Sequence, residues 1–186
     1  KTNYSVIGNY FKQDGIIIGS DYERYSSTFN LRSNLSKRFK FGLTATPSYN
    51  KRNVFNNNGS WETDPLAISM ISYPFFAPYD AAGNLNISQQ IRENAAADGA
   101  LGENPVAMIQ MIDNTRDEFK VFGNTYLSVD ILKGLTFKTS LGGDYSAISS
   151  EFFDPSSVGT YRQAAPDATR ATSGVTLRKN FLTENV

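Results

Sequence analysis

This sequence predicts an all-β chain, a stretch of an antiparallel up-and-down β-barrel that crosses a membrane. Three observations carry the prediction. Apolar and polar residues alternate at period two in several segments, and the connections between those segments alternate between short and long. The 186 residues include 10 Tyr and 13 Phe beside many Thr, Val and Ile, the types that suit a pleated surface.

The first extended segment, residues 3–12, alternates only weakly. The second, residues 22–35, carries Tyr25, Phe29, Leu31 and Leu35 on one face with Ser27 and Ser33; its other face is wholly polar, from Arg24 through Ser26, Thr28, Asn30 and Arg32 to Asn34. After Ser36-Lys37-Arg38, residues 39–52 place Phe39, Phe41, Leu43, Ala45, Pro47 and Tyr49 opposite Lys40, Gly42, Thr44, Thr46, Ser48 and Asn50. Residues 118–131 and 135–146 repeat the split around the tight turn Leu132-Lys133-Gly134. Phe119, Val121, Leu127, Val129, Phe137, Leu141 and Tyr145 share one face, and Lys120, Asn124, Ser128, Asp130, Lys138 and Asp144 the other. Phe122 and Tyr126 break the rule by standing on the polar side. A last strand, residues 175–186, starts near Val175-Thr176-Leu177.

Two long connections, residues 53–117 and 147–174, are predicted as outer loops, and the tight turns lie at the other end of the strands. Membrane barrels have this rhythm, with about ten residues per crossing. A soluble sandwich also alternates its faces but rarely keeps every second connection so short. No apolar run approaches the roughly 18 residues that a membrane helix requires. About six strands cannot close a barrel of this kind, which starts at about eight. Both ends read as interior to an extended pattern. The expectation is therefore one segment of a larger polypeptide, with a pore built from several copies as the alternative.

Composition narrows function. Lys+Arg and Asp+Glu both total 18, so no basic field is available to recruit nucleic acid. With neither Cys nor His, the sequence offers no thiolate, no imidazole proton shuttle and none of the usual zinc sets. No catalytic, cofactor or metal residues are predicted, and no enzyme.

The 53–117 loop holds the candidate contact residues, Trp61, Tyr73, Phe75, Phe76 and Tyr79, whose rings could stack on sugars or side chains or meet a covering protein. The plainer reading is that they form the loop's own small core. Asp64-Pro65 and Asn104-Pro105 each put a capping side chain before a proline suited to a first helical turn, and apolar residues follow, predicting two short helices. Glu62 and Asp64 resemble a glycosidase pair only superficially, and capping or solvated charge accounts for them. Asp80-Ala81-Ala82-Gly83-Asn84 lacks the regular acidic ligands of a calcium loop and reads as a hairpin turn.

Several blocks, in order, resemble a known family. They include Tyr4-Ser5-Val6-Ile7-Gly8-Asn9-Tyr10-Phe11-Lys12-Gln13-Asp14-Gly15, Ser20-Asp21-Tyr22-Glu23-Arg24-Tyr25, Asp64-Pro65-Leu66-Ala67, Ser72-Tyr73-Pro74-Phe75-Phe76-Ala77-Pro78-Tyr79-Asp80, Asn104-Pro105-Val106-Ala107 and Lys133-Gly134-Leu135-Thr136-Phe137. The family is that of SusC/RagA-type TonB-dependent receptors, which import glycans and peptides across the bacterial outer membrane. The resemblance implies a barrel of about 22 strands around a plug. The plug and the TonB-contacting segment would lie upstream, and a SusD-like surface lipoprotein would close over the mouth as a lid. An oligosaccharide or peptide is the implied substrate. Arg24, Arg32, Lys40, Arg52, Lys120, Lys138 and Asp144 would then line the lumen or touch the plug. The competing reading is a soluble carbohydrate-binding or adhesive β-domain.

Overall fold

The computed structural model describes residues 1–55, 63–72, 74–87, 103–158 and 169–186. Among these residues six strands form one antiparallel sheet in sequence order: β1 (Thr2–Asp14), β2 (Asp21–Asn34), β3 (Phe39–Asn53), β4 (Asp113–Leu132), β5 (Leu135–Asp154) and β6 (Arg170–Asn185). Each pairs only with its chain neighbours, the up-and-down order expected of a barrel wall. No described helix is long and apolar enough to cross a membrane.

The tight turns are built locally. Gly134 takes φ 88° between β4 and β5, a conformation that side-chain-bearing residues rarely adopt. Between β2 and β3 the Ser36 hydroxyl accepts from the backbone N–H groups of Arg38 and Phe39, each at 3.1 Å. These turns set the register of β2 with β3 and of β4 with β5, and the β3–β4 pairing agrees with them, so like faces stay together: Leu31 pairs with Leu43, Tyr25 with Tyr49, Tyr49 with Phe119, and Val129 with both Phe39 and Phe137.

The apolar face is the open one. Leu43 is 38% exposed, Phe119 44% and Leu141 50%, whereas Ser48, Ser128 and Ser146 on the polar face are buried. No second sheet covers the apolar rows among the described residues. That ordering inverts a soluble domain, in which the oily side is shielded.

The outer face also changes character with height. Tyr10, Tyr25, Tyr49 and Phe119 form one paired row across β1–β4, and two residues beyond it Lys12, Glu23, Lys51 and Asp117 form the next. On β3, Phe39 and Tyr49 stand ten residues apart on this face. Ten residues span about 33 Å of strand, which at a tilt of 35–45° is a band about 25 Å tall, the thickness that aromatic girdles bracket in outer-membrane barrels.

The strands outrun the alternation that revealed them. β4 starts at Asp113 rather than 118, β5 continues to Asp154 rather than 146, and β6 starts at Arg170 rather than 175. The two loops expected at 53–117 and 147–174 are shortened accordingly. At 20 residues, β4 and β5 are each about twice the length that lipid requires. Along these extensions polarity stops alternating while the hydrogen-bond ladder continues, as it does where a barrel strand runs on into water with both faces wet.

Tyr126, one of the exceptions on the polar face, has a packing role. A Cβ placed on its pairing partner Gly42 would collide with the Tyr126 ring, so the ring lies over the bare glycine backbone. Lys138 Nζ sits 5.1 Å from the centre of that ring. The same face holds Lys40 paired with Asp130 at 3.4 Å, and Asp144 accepting twice from Asn180 at 3.1 Å.

Candidate functional site at the outer loops

Among its described residues, the loop segment between β3 and β4 contains two short helices, α1 (Pro65–Ile71) and α2 (Pro105–Met111). Each begins as its sequence demands. Asp64 accepts from the N–H groups of Leu66 and Ala67, Asn104 accepts from that of Val106, and a proline without an N–H occupies each first turn. The helices meet through Ile68 and Met108, which with Val158 from the following loop make a small buried core flanked by Met111 and Ile112. Aliphatic residues therefore supply the core seen in the described part of this region.

Asn104 ties the second helix to the segment before it. Its amide nitrogen donates to the carbonyls of Pro78 and Asn86, each at 2.8 Å, while its oxygen caps α2. Within that segment the Asp80 carboxylate accepts from the backbone N–H groups of Ala82 and Asn84 at 2.8 Å and from the Asn84 side chain at 3.1 Å. Gly83 turns the chain at φ 86°, and Tyr79 bridges to Leu85. Asp80 is thus engaged in shaping a turn, and no group of three potential metal ligands exists among the described residues. The Asn84 amide, followed by the backbone donors, holds the Asp80 carboxyl below the ordinary carboxylate range.

The five predicted contact aromatics do not share one fate. Trp61 and Tyr73 lie outside the described residues, as does Glu62. Phe75 is 73% exposed with its ring 4.8 Å from that of Phe76, which is half-buried. Tyr79 is 42% exposed, and its hydroxyl accepts from the Gln110 amide at 3.2 Å. Asp64, half of the supposed carboxylate pair, caps α1.

Beneath the helices a cleft of about 290 Å³ opens between the loop and the tops of the strands, with Met108, Ile109 and Pro65 on one side and Phe152 and Arg170 on the other. Arg170 donates to the buried Asp154 carboxylate from two nitrogens, at 2.7 and 3.2 Å, and stands 5.7 Å from the Phe152 ring. Asp154 is buried while Phe153, on the opposite face, is 45% exposed, so the loops fold over the polar face of the sheet. The sequence reading missed this Asp154–Arg170 clamp because Glu151-Phe152-Phe153-Asp154 has no clean alternation. The site offers aromatic surface, an amide-held scaffold and a paired cation, which suit recognition.

The comparisons with known proteins agree with this architecture. No family model matches the chain. It is 27% identical to TonB-dependent receptor P3 of Formosa agariphila over 191 residues, covering 99% of this chain and 18% of that protein. It is 29% identical to TonB-dependent receptor P39 of the same organism over 148 residues, covering 78% of this chain and 13% of that protein. Among solved structures, the RagAB peptide transporter matches the fold with a TM-score of 0.64 at 18% identity, over 99% of this chain and 20% of that one. The chain spans about a fifth or less of the length of these relatives.

Proposed function

We propose that this chain is a segment of a SusC/RagA-like, TonB-dependent receptor of the bacterial outer membrane, a reading that its likeness to such proteins supports, and that the whole protein imports a bulky nutrient, a glycan or a peptide. This stretch contributes barrel wall and the outer loops that meet substrate or lid. The carrying observation is the polarity of the sheet, whose apolar rows stay open on one side while loops fold over the polar side. A wall with hydrocarbon outside and an aqueous interior needs that order. A soluble carbohydrate-binding domain does not, and it would leave a large exposed apolar surface prone to aggregate.

Phe75, Phe76 and Tyr79, with Trp61 and Tyr73, are the proposed contacts for substrate or for a SusD-like lid lipoprotein. Aromatic rings offer large area at low entropy cost, and Tyr79 follows directly on Pro78, whose carbonyl Asn104 holds. Energy coupling through TonB belongs to other parts of the polypeptide. The chain's residues do no bond chemistry in this scheme; they bind, orient and gate.

Uptake by cells carrying the full-length receptor tests the proposal, with a fluorescent oligosaccharide library and a peptide library supplied separately. One library should accumulate, and Trp61→Ala with Phe75→Ala should lower its uptake about ten-fold while the amount of receptor in the membrane stays constant. Accumulation of neither library, or uptake indifferent to the double variant, would refute the assignment of these loops.

A further inference from the structure

We propose that the outer face of this wall seats a phosphorylated lipid of the outer leaflet, with an acyl chain in a glycine-floored groove and the phosphate on Lys179. The inference rests on the membrane-wall reading and adds a specific occupant.

Two separate features converge. A shallow groove of about 250 Å³ runs along the outer face where Gly123 of β4 pairs with Gly143 of β5. Leu43, Val121, Leu141 and Phe181 form its sides, and Tyr145 stands at its upper end. Gly123 has open space above it: a Cβ there would meet only the Thr44 carbonyl at 3.5 Å. The groove is apolar; the Phe181 ring lies against Gly143, so its open floor is at Gly123, with room for part of a hydrocarbon chain.

The second feature is a charge where none is expected. Below the aromatic row, the outer faces of all six described strands carry apolar or neutral residues except at one position, Lys179, which pairs with Tyr145. A lysine facing lipid is costly unless its amine reaches an anion or the interface. Lys179 Nζ stands 5.8 Å from the centre of the Tyr145 ring, at the upper end of the groove, and no carboxylate among the described residues pairs with it. From Phe137, near the inner aromatic level, to Tyr145 is eight residues, about 20 Å of height on a tilted strand. Lys179 therefore lies just inside the outer edge of the band, from where its long side chain can reach up to the phosphates of outer-leaflet lipids, above a slot for their chains.

The test uses the full-length receptor in mild detergent and native mass spectrometry with two probes that share their chains, dioleoyl phosphatidic acid and dioleoylglycerol. The wild type should retain more of the phosphatidic acid. Lys179→Gln should cut that adduct about five-fold and leave the diacylglycerol adduct unchanged, and Gly123→Leu should lower both by filling the groove. Equal retention of the two lipids by the wild type, or adducts insensitive to both substitutions, overturns the proposal. So does a Gly123→Leu protein whose oligomeric state changes while lipid binding does not, since a second copy would then occupy the face. Heat-modifiable migration in electrophoresis reports the barrel independently: its absence in the wild type would strike the membrane-wall reading itself, and its presence confines a failure to the lipid site. If Gly123→Leu loses that behaviour, Lys179→Gln on the exposed β6 decides alone.

Discussion

Side by side on β3, Leu43 and Thr44 have opposite surroundings. Leu43 is on the open apolar face, four residues from Phe39 and six from Tyr49, close to the middle of the band. Thr44 is on the polar face and donates its hydroxyl to the Asn30 side chain at 3.0 Å. An arginine at Leu43 must bring charge into hydrocarbon, at about 2–4 kcal/mol near the midplane, whereas one at Thr44 meets water. Folding titrations of the intact receptor into lipid vesicles should show the larger loss for Leu43→Arg, with Thr44→Arg costing about 1 kcal/mol for its lost hydrogen bond. Equal losses would mean that the faces are assigned wrongly. The Gly42–Tyr126 pair carries a related lesson. A tyrosine that looks misplaced on a polar face is there because the neighbouring strand presents bare backbone for its ring.

At the scale of elements, the two helices start alike but are braced differently. Asp64 caps α1, so Asp64→Ala should cost at least about 1 kcal/mol and speed amide exchange at Leu66 and Ala67. Asn104 also holds the Pro78 and Asn86 carbonyls, so Asn104→Ala should loosen residues 79–85 together with α2. Exchange confined to α2 would show that the amide bridge is unimportant. The Asp80 turn adds a pH dependence. Its carboxyl is held down by donors that exist only in the folded turn, so its contribution is complete above the unfolded value of about 4 and is lost as pH falls through the lower folded value. Protection of Ala82 and Asn84, measured as exchange relative to the intrinsic amide rate at each pH, should fall on acidification below about pH 4, and in Asp80→Ala it should be low and flat across that range. Acceleration with rising pH beyond the intrinsic base dependence would contradict the sign.

For the whole molecule, the described sheet leaves one edge of β1 and one edge of β6 unpaired. In a bilayer those backbone groups need further strands, because hydrocarbon offers them no partner. The six-strand up-and-down order and the two-faced wall were legible in the chain, since side chains alternate at period two and lipid and water enforce opposite chemistry on the two faces. The helix starts were legible too, because a cap and a proline act within a few residues of each other. What the sequence could not decide is everything set by contacts between distant segments. The extension of β4 and β5 beyond the bilayer left no alternation to read. The Asp154–Arg170 clamp joins residues across a connection, the seat of Tyr126 over Gly42 depends on register between strands 84 positions apart, and the lone outward Lys179 gains meaning only beside the Gly123–Gly143 groove. Local patterning determined the faces of this wall; tertiary pairing decided what stands next to what, because register and loop closure bring together residues that no short-range periodicity links.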